Sequence, residues 1–346
     1  MLKLDKISIL VPVHNGVANG LRDSLSSILS QDYQNIELIV IDDASSDSSI
    51  ELVNQFCKPP HCKKIVHQSN QGLAASLNDG VISADGRYLM IMQQDCALIS
   101  KDALSKSIEF MSNNKNVDIL IGRQIYDLNK LNFYQKFSEF SLDHFLLYSS
   151  TRGELDLTEI KCDIIRKEIM DKIGLFDITQ RVSGEDQIFS NRALKLGFKM
   201  YLGEEPKYMN QLLGENTLLK VLKKQFRYGR YSWILYKKMY RDKPIKSSGI
   251  SYVSGKMYNR IMSVSFSLIT IIFLALFLST LFYGFLCALL LAPLIRVFIG
   301  YRKLANLRKK YYIPRFSGLL VFGMLILSDF VFTLGLTRGF FAKTIA

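Results

Sequence analysis

The chain has 346 residues, 49% of them apolar, and a formal net charge of +13; that length suits about two domains. Both excesses are local: Ile261–Ile295 has no Asp, Glu, Lys or Arg, Lys220–Lys246 holds ten basic residues against one Asp, and Arg296–Arg315 holds seven against none. Basic stretches that abut apolar runs argue against nucleic acid as partner, five irregularly spaced cysteines argue against a disulfide framework, and the opening MLKLDKISILVPV lacks the small-residue cleavage site of a secretory signal.

In chain order, Ile7–Val13 and Ile36–Ile41 are short Ile/Val-rich runs ending in polar residues, as expected of strands buried on both faces of a parallel sheet. Between them, Leu21–Leu29 spaces its apolar residues as a helix does. Ser48–Phe56 predicts a second helix, Lys64–His67 a third strand, Leu73–Ser83 a helix turning Ala74, Leu77 and Val81 inward, and Tyr88–Met92 a fourth strand ending at Gln93-Gln94-Asp95. This βαβαβαβ order calls for a doubly wound α/β domain with right-handed crossovers. The segment Cys57-Lys-Pro-Pro-His61-Cys62 holds only three possible zinc ligands and is expected to be a loop with free thiols in a reducing cytosol. The pattern weakens from Leu104 to Tyr148, with a strand over Ile119–Ile121. It resumes with Ile160–Arg166, a helical stretch in Gly184–Met200 closed by Gly197, and a final strand over Met200–Leu202.

The remaining chain reads as a membrane region. A bilayer crossing takes about 20 apolar residues. The run 261–295 therefore suits two short helices hinged near Ser279–Gly284, and Phe316–Leu336, with the single charge Asp329, suits one more. We expect two to three crossings near 261–278, 283–300 and 316–337, a first domain over 1–245 and a membrane region over 246–346. The basic clusters place both flanks on the cytoplasmic face by the positive-inside rule and favour anionic membrane lipids.

Carboxylates gathered beyond the ends of parallel strands are costly to place together and point to a sugar, a base or a metal ion. The ordered stretches ISILVPVHN (7–15), SLSSILSQDYQNIELIVIDDASSD (24–47), NQGLAASLNDGVISADGRYLMIMQQD (70–95), IGLFD (173–177) and GED (184–186) carry a resemblance. Over residues 1 to about 240 the chain resembles the family 2 inverting glycosyltransferases of the GT-A fold, with a C-terminal membrane segment.

The resemblance implies a nucleotide-sugar donor held by Pro12, His14 and Asn15 in the loop after the first strand, with His14 stacking on the base. It implies that Asp43 reads the base, that Gly72 opens a helix N-terminus to the diphosphate, and that Gln93 and Asp95 stand where the family's Asp-x-Asp holds Mg²⁺ or Mn²⁺, so Asp95 is the metal ligand. Asp186 matches the general base that deprotonates the acceptor hydroxyl. Each residue has a plainer reading: a surface histidine for His14, helix capping for Asp43 and Asp47, a turn requirement for Gly72, favourable helix-start charge for Glu185 and Asp186, and structural pairing for Arg192.

Gln93 replaces the first acid of the metal motif, no histidine follows His144, and the Gln-x-x-Arg-Trp signature of processive synthases is missing; Gln225–Arg230 instead resembles the basic Tyr-Gly segment of non-processive relatives. The expected activity is inverting transfer of a sugar from a UDP-type donor to a polysaccharide or polyprenyl-linked acceptor at the cytoplasmic membrane face. The rival readings are charging of a polyprenyl phosphate itself and a catalytically silent membrane scaffold.

Overall fold

The structure is a computed structural model that describes residues 5–146, 153–155, 157–179, 184–210, 214–241, 311 and 318–341. The described residues form two compact units by contact, one from 1–127 with 150–213, the other from 128–149 with 214–346.

The first unit is built on nine strands: β1 (Ile7–Val13), β2 (Ile36–Asp42), β3 (Cys62–Val66), β4 (Tyr88–Met92), β5 (Cys96–Leu98), β6 (Ile119–Ile125), β7 (Gly153–Leu155), β8 (Cys162–Arg166) and β9 (Met200–Asn210). Their order is β3-β2-β1-β4-β8-β6-β9-β5, with β7 pairing β9. The half from β3 to β4 is parallel. The sheet is nevertheless mixed rather than doubly wound throughout: β8 runs antiparallel to β4 and β6, and β9 is antiparallel to β5 and β7.

Both faces are covered. On one side α1 (Leu21–Leu29), α2 (Ser49–Phe56) and α4 (Ala103–Asn113) bury Leu21, Leu25, Leu52, Val53, Leu104 and Met111 against Ile9, Val11, Val40 and Met90. On the other, α3 (Leu73–Ser83), α6 (Lys167–Ile173) and α7 (Glu185–Lys195) bury Leu77, Val81, Met170 and Phe189 against Leu10, Ile39, Ile41 and Ile91. Adjacent strand positions thus feed opposite layers, which is why β1, β2 and β4 are apolar at nearly every residue. Gly197, with φ 81°, ends α7 in the left-handed conformation its position required.

The second unit contains α5 (Phe133–Leu146), α8 (Leu218–Arg241) and α9 (Gly318–Phe341). The basic helix α8 thus groups with the C-terminal helix. Helices α8 and α9 approach closely: a Cβ at Gly229 would overlap the Phe332 carbonyl oxygen, and one at Gly335 that of Phe226. The expected spans near 261–278 and 283–300 lie outside the described residues. The third, near 316–337, falls on α9, and among the described residues no helix is long and apolar enough to cross a membrane.

One loop departs from expectation. Cys57 and Cys62 are not free thiols; they are joined in a disulfide, their Cα atoms 5.2 Å apart. The short prolyl loop between the end of α2 and the start of β3 folds back and brings them together, which removes both as metal ligands.

Candidate functional site at the carboxyl edge of the sheet

Strands β2, β1 and β4 are parallel neighbours, so Asp42–Asp43, His14–Asn15 and Gln93–Asp95 leave the sheet at the same edge. Strand β8 is antiparallel and begins there, Cys162 lying opposite Met92, which brings residues 157–161 to that edge as well. This is where open parallel sheets bind ligands.

His14 is exposed, and its ring Nδ1 lies 2.8 Å from the Asp43 carbonyl oxygen and 3.3 Å from the Asn70 amide nitrogen. Its backbone is held from the far side. The His14 N–H donates to Gln94 Oε1 at 2.9 Å, while Gln94 Nε2 donates to the His14 carbonyl at 3.1 Å. Gln94 therefore acts as a short artificial strand tying the β1 loop to the end of β4. Gly16 makes room for it, since a Cβ there would sit 2.8 Å from Gln94 Oε1. Sequence reasoning passed over Gln94; Gly16 was the only local sign of a close approach. Asn15, at φ 50°, bridges to the next loop, its N–H donating to Ser45 Oγ and its Oδ1 accepting from the Ser46 N–H.

Asp43 is the hub of this side. Its Oδ1 accepts from the Gln71 N–H and pairs with His67 Nδ1, and its Oδ2 accepts from the Gly72 N–H, each at 2.8 Å. Burial alone would raise its carboxyl; the Gln71 N–H, His67 and the Gly72 N–H outweigh it and hold the group below the usual carboxylate range. A carboxylate offers about four acceptor positions, so the protein occupies three and leaves one, on Oδ2. The adjacent Asp42 is closed off from solvent; its Oδ2 accepts from the Ser45 N–H. The helix-starting role belongs to Asp47, whose Oδ1 accepts from the Ser49 N–H and hydroxyl.

Two expected ligand contacts change character. Pro12 is buried within β1, opposite Ile41, rather than in the loop. It lies beyond the last β1–β4 pair, Leu10 with Ile91, where a missing N–H costs no ladder bond. Gly72 does precede a helix, but its N–H is already given to Asp43; its φ of 91° is what makes glycine necessary. Gln93 turns its Nε2 to the Ile160 carbonyl at 3.1 Å, while its N–H donates to the Lys161 carbonyl.

Those two bonds anchor the segment that links β4 to Asp186. Thr158 N–H donates to Ser190 Oγ on α7, and that hydroxyl donates to the Asp186 carbonyl at 2.7 Å. Lys161 pairs with Glu159 at 2.7 Å, and both charges act on the Asp186 carboxyl. Burial and the neighbouring Glu185 push that carboxyl well above the usual range, against the opposing Gln187 N–H. Beneath the segment, buried Asp163 accepts from Thr158, Ile160 and Gly122. Arg192 is structural: it donates to the carbonyls of Ile173 and Leu175 and so fixes the turn that follows α6.

Asp95 is half-buried at the end of this row. Among the described residues no group of three His, Cys, Asp or Glu could hold a metal by itself. A magnesium-like ion, however, is commonly held by one or two carboxylates plus substrate phosphates and water. Asp95 fits that donor set for an ion arriving with a diphosphate.

A mixed α/β sheet of this order is GT-A-like in fold. Residues 8–174, just under half of the chain, match the family described as Glycosyl transferase family 2. Similar proteins include an uncharacterized glycosyltransferase of Haemophilus influenzae, 40% identical over 114 residues (33% of this chain, 45% of that protein). Another is the glycosyltransferase GlyG of Streptococcus pneumoniae, 35% identical over 130 residues (37% of this chain, 42% of that protein). The matched stretches thus span less than half of each relative. The mannosyltransferase PcManGT of Pyrobaculum calidifontis, solved with GDP-Man and Mn²⁺, has a similar fold: TM-score 0.60 at 14% identity, over 99% of this chain and 89% of that one. So has S. aureus TarS 1-349 in complex with UDP-GlcNAc: TM-score 0.52 at 17% identity, over 74% and 73%.

Proposed function

We propose that the chain is an inverting glycosyltransferase that moves a sugar from a UDP donor to an acceptor hydroxyl, with Asp186 as general base. The single observation that carries this reading is the environment of Asp186. It is a half-buried carboxyl at a helix start whose proton affinity is raised by burial and Glu185, and it is tied through Ser190 and Thr158 to the edge that holds Asp95. A base works best when its pKa approaches the working pH. In a single displacement, Asp186 takes the acceptor proton as the acceptor oxygen bonds to the anomeric carbon; the bond to the diphosphate breaks on the opposite face, and the configuration inverts.

The uracil preference is supported by the one acceptor position left on Asp43. Uracil presents a single N–H there, whereas guanine presents donors on two adjacent nitrogens. His14 lies beside Asp43 with an exposed ring suited to stacking. Asp95 would meet a divalent ion, Mg²⁺ or Mn²⁺, which neutralises charge on the leaving diphosphate; Asn15, Gly72 and Gln93 shape the loops around it. Anchoring at the cytoplasmic membrane face is supported by the uncharged run 261–295 and by exposed Lys220, Lys223 and Arg227 on α8. A membrane-bound acceptor would then be presented at high effective concentration, as surface polysaccharide or polyprenyl-linked substrates require.

The test is UDP release by the full chain from a panel of UDP- and GDP-sugars with Mn²⁺. The reading expects turnover with a UDP-sugar and none with Asp186→Asn. Equal turnover by that variant would sink it.

A further inference from the structure

His67, at the mouth of β3, is buried and has a carboxylate on each ring nitrogen: Asp43 Oδ1 lies 2.8 Å from Nδ1, and Asp79 Oδ2 lies 2.9 Å from Nε2. Asp43 reaches it from the end of β2 and Asp79 from α3, and these are the two charged groups that face it. Carboxylates accept but do not donate when ionised. A neutral imidazole has one N–H, so it can satisfy one of the two and must turn a lone pair toward the other. Only the imidazolium satisfies both. Its partners are consistent with that state: burial alone would lower the histidine, and Asp43 and Asp79 outweigh it and raise it above its ordinary value.

Asp43 also accepts from the Gln71 and Gly72 N–H groups, and its own carbonyl meets His14. Whatever sets the Asp43 carboxylate therefore also sets the turn that opens α3 and one side of the His14 ring. We propose that His67 is a positioning residue for base recognition: as an imidazolium clamped between Asp43 and Asp79, it fixes the Asp43 carboxylate and, through it, the Gln71–Gly72 turn. This rests on the reading of Asp43 as the base acceptor given above. The clamp makes nucleotide affinity depend on the protonation of a residue that does not itself touch the nucleotide.

The discriminating variant is Asp79→Asn. Asp79 is 43% exposed at its side chain, contacts neither Asp43 nor the 70–72 turn, and acts on them only through the imidazole. Two measurements on the full chain test the idea: the UDP dissociation constant from about pH 6 to about pH 9, and the hydrogen-exchange protection of the Gln71 and Gly72 amides. In the wild type, UDP binding should weaken about tenfold as His67 loses its proton, the equivalent of one pK unit of coupling. In Asp79→Asn the midpoint should move to lower pH, with both amides less protected near neutral pH. UDP binding with an unshifted midpoint and unchanged amide protection would overturn the clamp and leave the transferase reading standing. Amide protection that responds to Asp79→Asn without UDP binding at any pH would uphold the clamp and overturn the nucleotide reading.

Discussion

At Asp186 and Asp43 the same residue type is driven in opposite directions. Three protein donors keep Asp43 ionised, while burial beside Glu185 favours the protonated form of Asp186. That split is what the proposed division between a recognition acid and a base requires. Asp186→Asn should therefore lower kcat by about 10²- to 10⁴-fold, the usual share of a general base, and leave UDP affinity within about twofold. Steady-state kinetics beside calorimetry would check it. The wild-type kcat should climb as pH rises through the elevated Asp186 pKa, because only the deprotonated carboxylate accepts the acceptor proton; a flat acid limb would contradict the assignment. Gly16→Ala should weaken UDP binding without unfolding the chain, since its Cβ presses on the Gln94 amide that pins His14. Asp43 and Asp95 stood out in the sequence as acids at strand ends against apolar runs, and Asp186 as an acid in the first turn of a helix. Gln94, His67 and the 157–161 segment did not: their roles come from contacts with residues 12 or more positions away, and no local periodicity encodes such pairings.

Among the elements, legibility divides with strand direction. The parallel strands β1, β2 and β4 and the helices α1 and α3 were readable because burial on both faces demands unbroken apolar runs, and helices covering them must be amphipathic. In the antiparallel half the apolar starts of β6 and β9 and the run of β8 were readable, and the rest was not. Strands β5 and β7 are three residues each, too short for a pattern, and β9 runs to Asn210 through Glu204-Glu205-Pro206-Lys207, polar residues that read as loop. Where β6 and β8 meet, Gly122 is required: a Cβ would overlap the Cys162 carbonyl oxygen. Gly122→Ala should destabilise the first unit by about 3 kcal/mol, at the upper end for overpacking, seen as a lower urea midpoint. At the opposite edge, buried Glu37 on β2 accepts from Ser8 and the Asp85 N–H and pairs with Lys63 at 2.8 Å and Lys6 at 3.3 Å. Burial would raise its carboxyl, but these partners carry it down to about 2. A lowered folded-state pKa gives stability that is whole above the unfolded value of 4.5 and is lost as pH falls toward 2. Glu37→Gln should accordingly flatten the acid side of the stability curve in that window.

For the whole molecule, charge and hydropathy set an apolar, basic C-terminal part apart from the rest, and the contact division into two units puts α8 with it. Within that second unit, glycines let the α8 and α9 backbones meet, a packing mode that relies on small residues. Gly335→Leu should force the pair apart and speed tryptic cleavage at Arg338, measured on the full chain; an unchanged digestion rate would show that the pair is not held there. Catalysis asks something different of the first unit: that β1, β2, β4 and β8 deliver their polar ends to one edge. A crystal structure of the full chain with UDP and Mn²⁺ tests this most directly. The account predicts uracil against His14 with its N–H on Asp43 Oδ2, the diphosphate beside Asp95, and Asp186 facing the open side where an acceptor would enter. Uridine seated away from that edge, or Asp186 turned from the diphosphate, would contradict it.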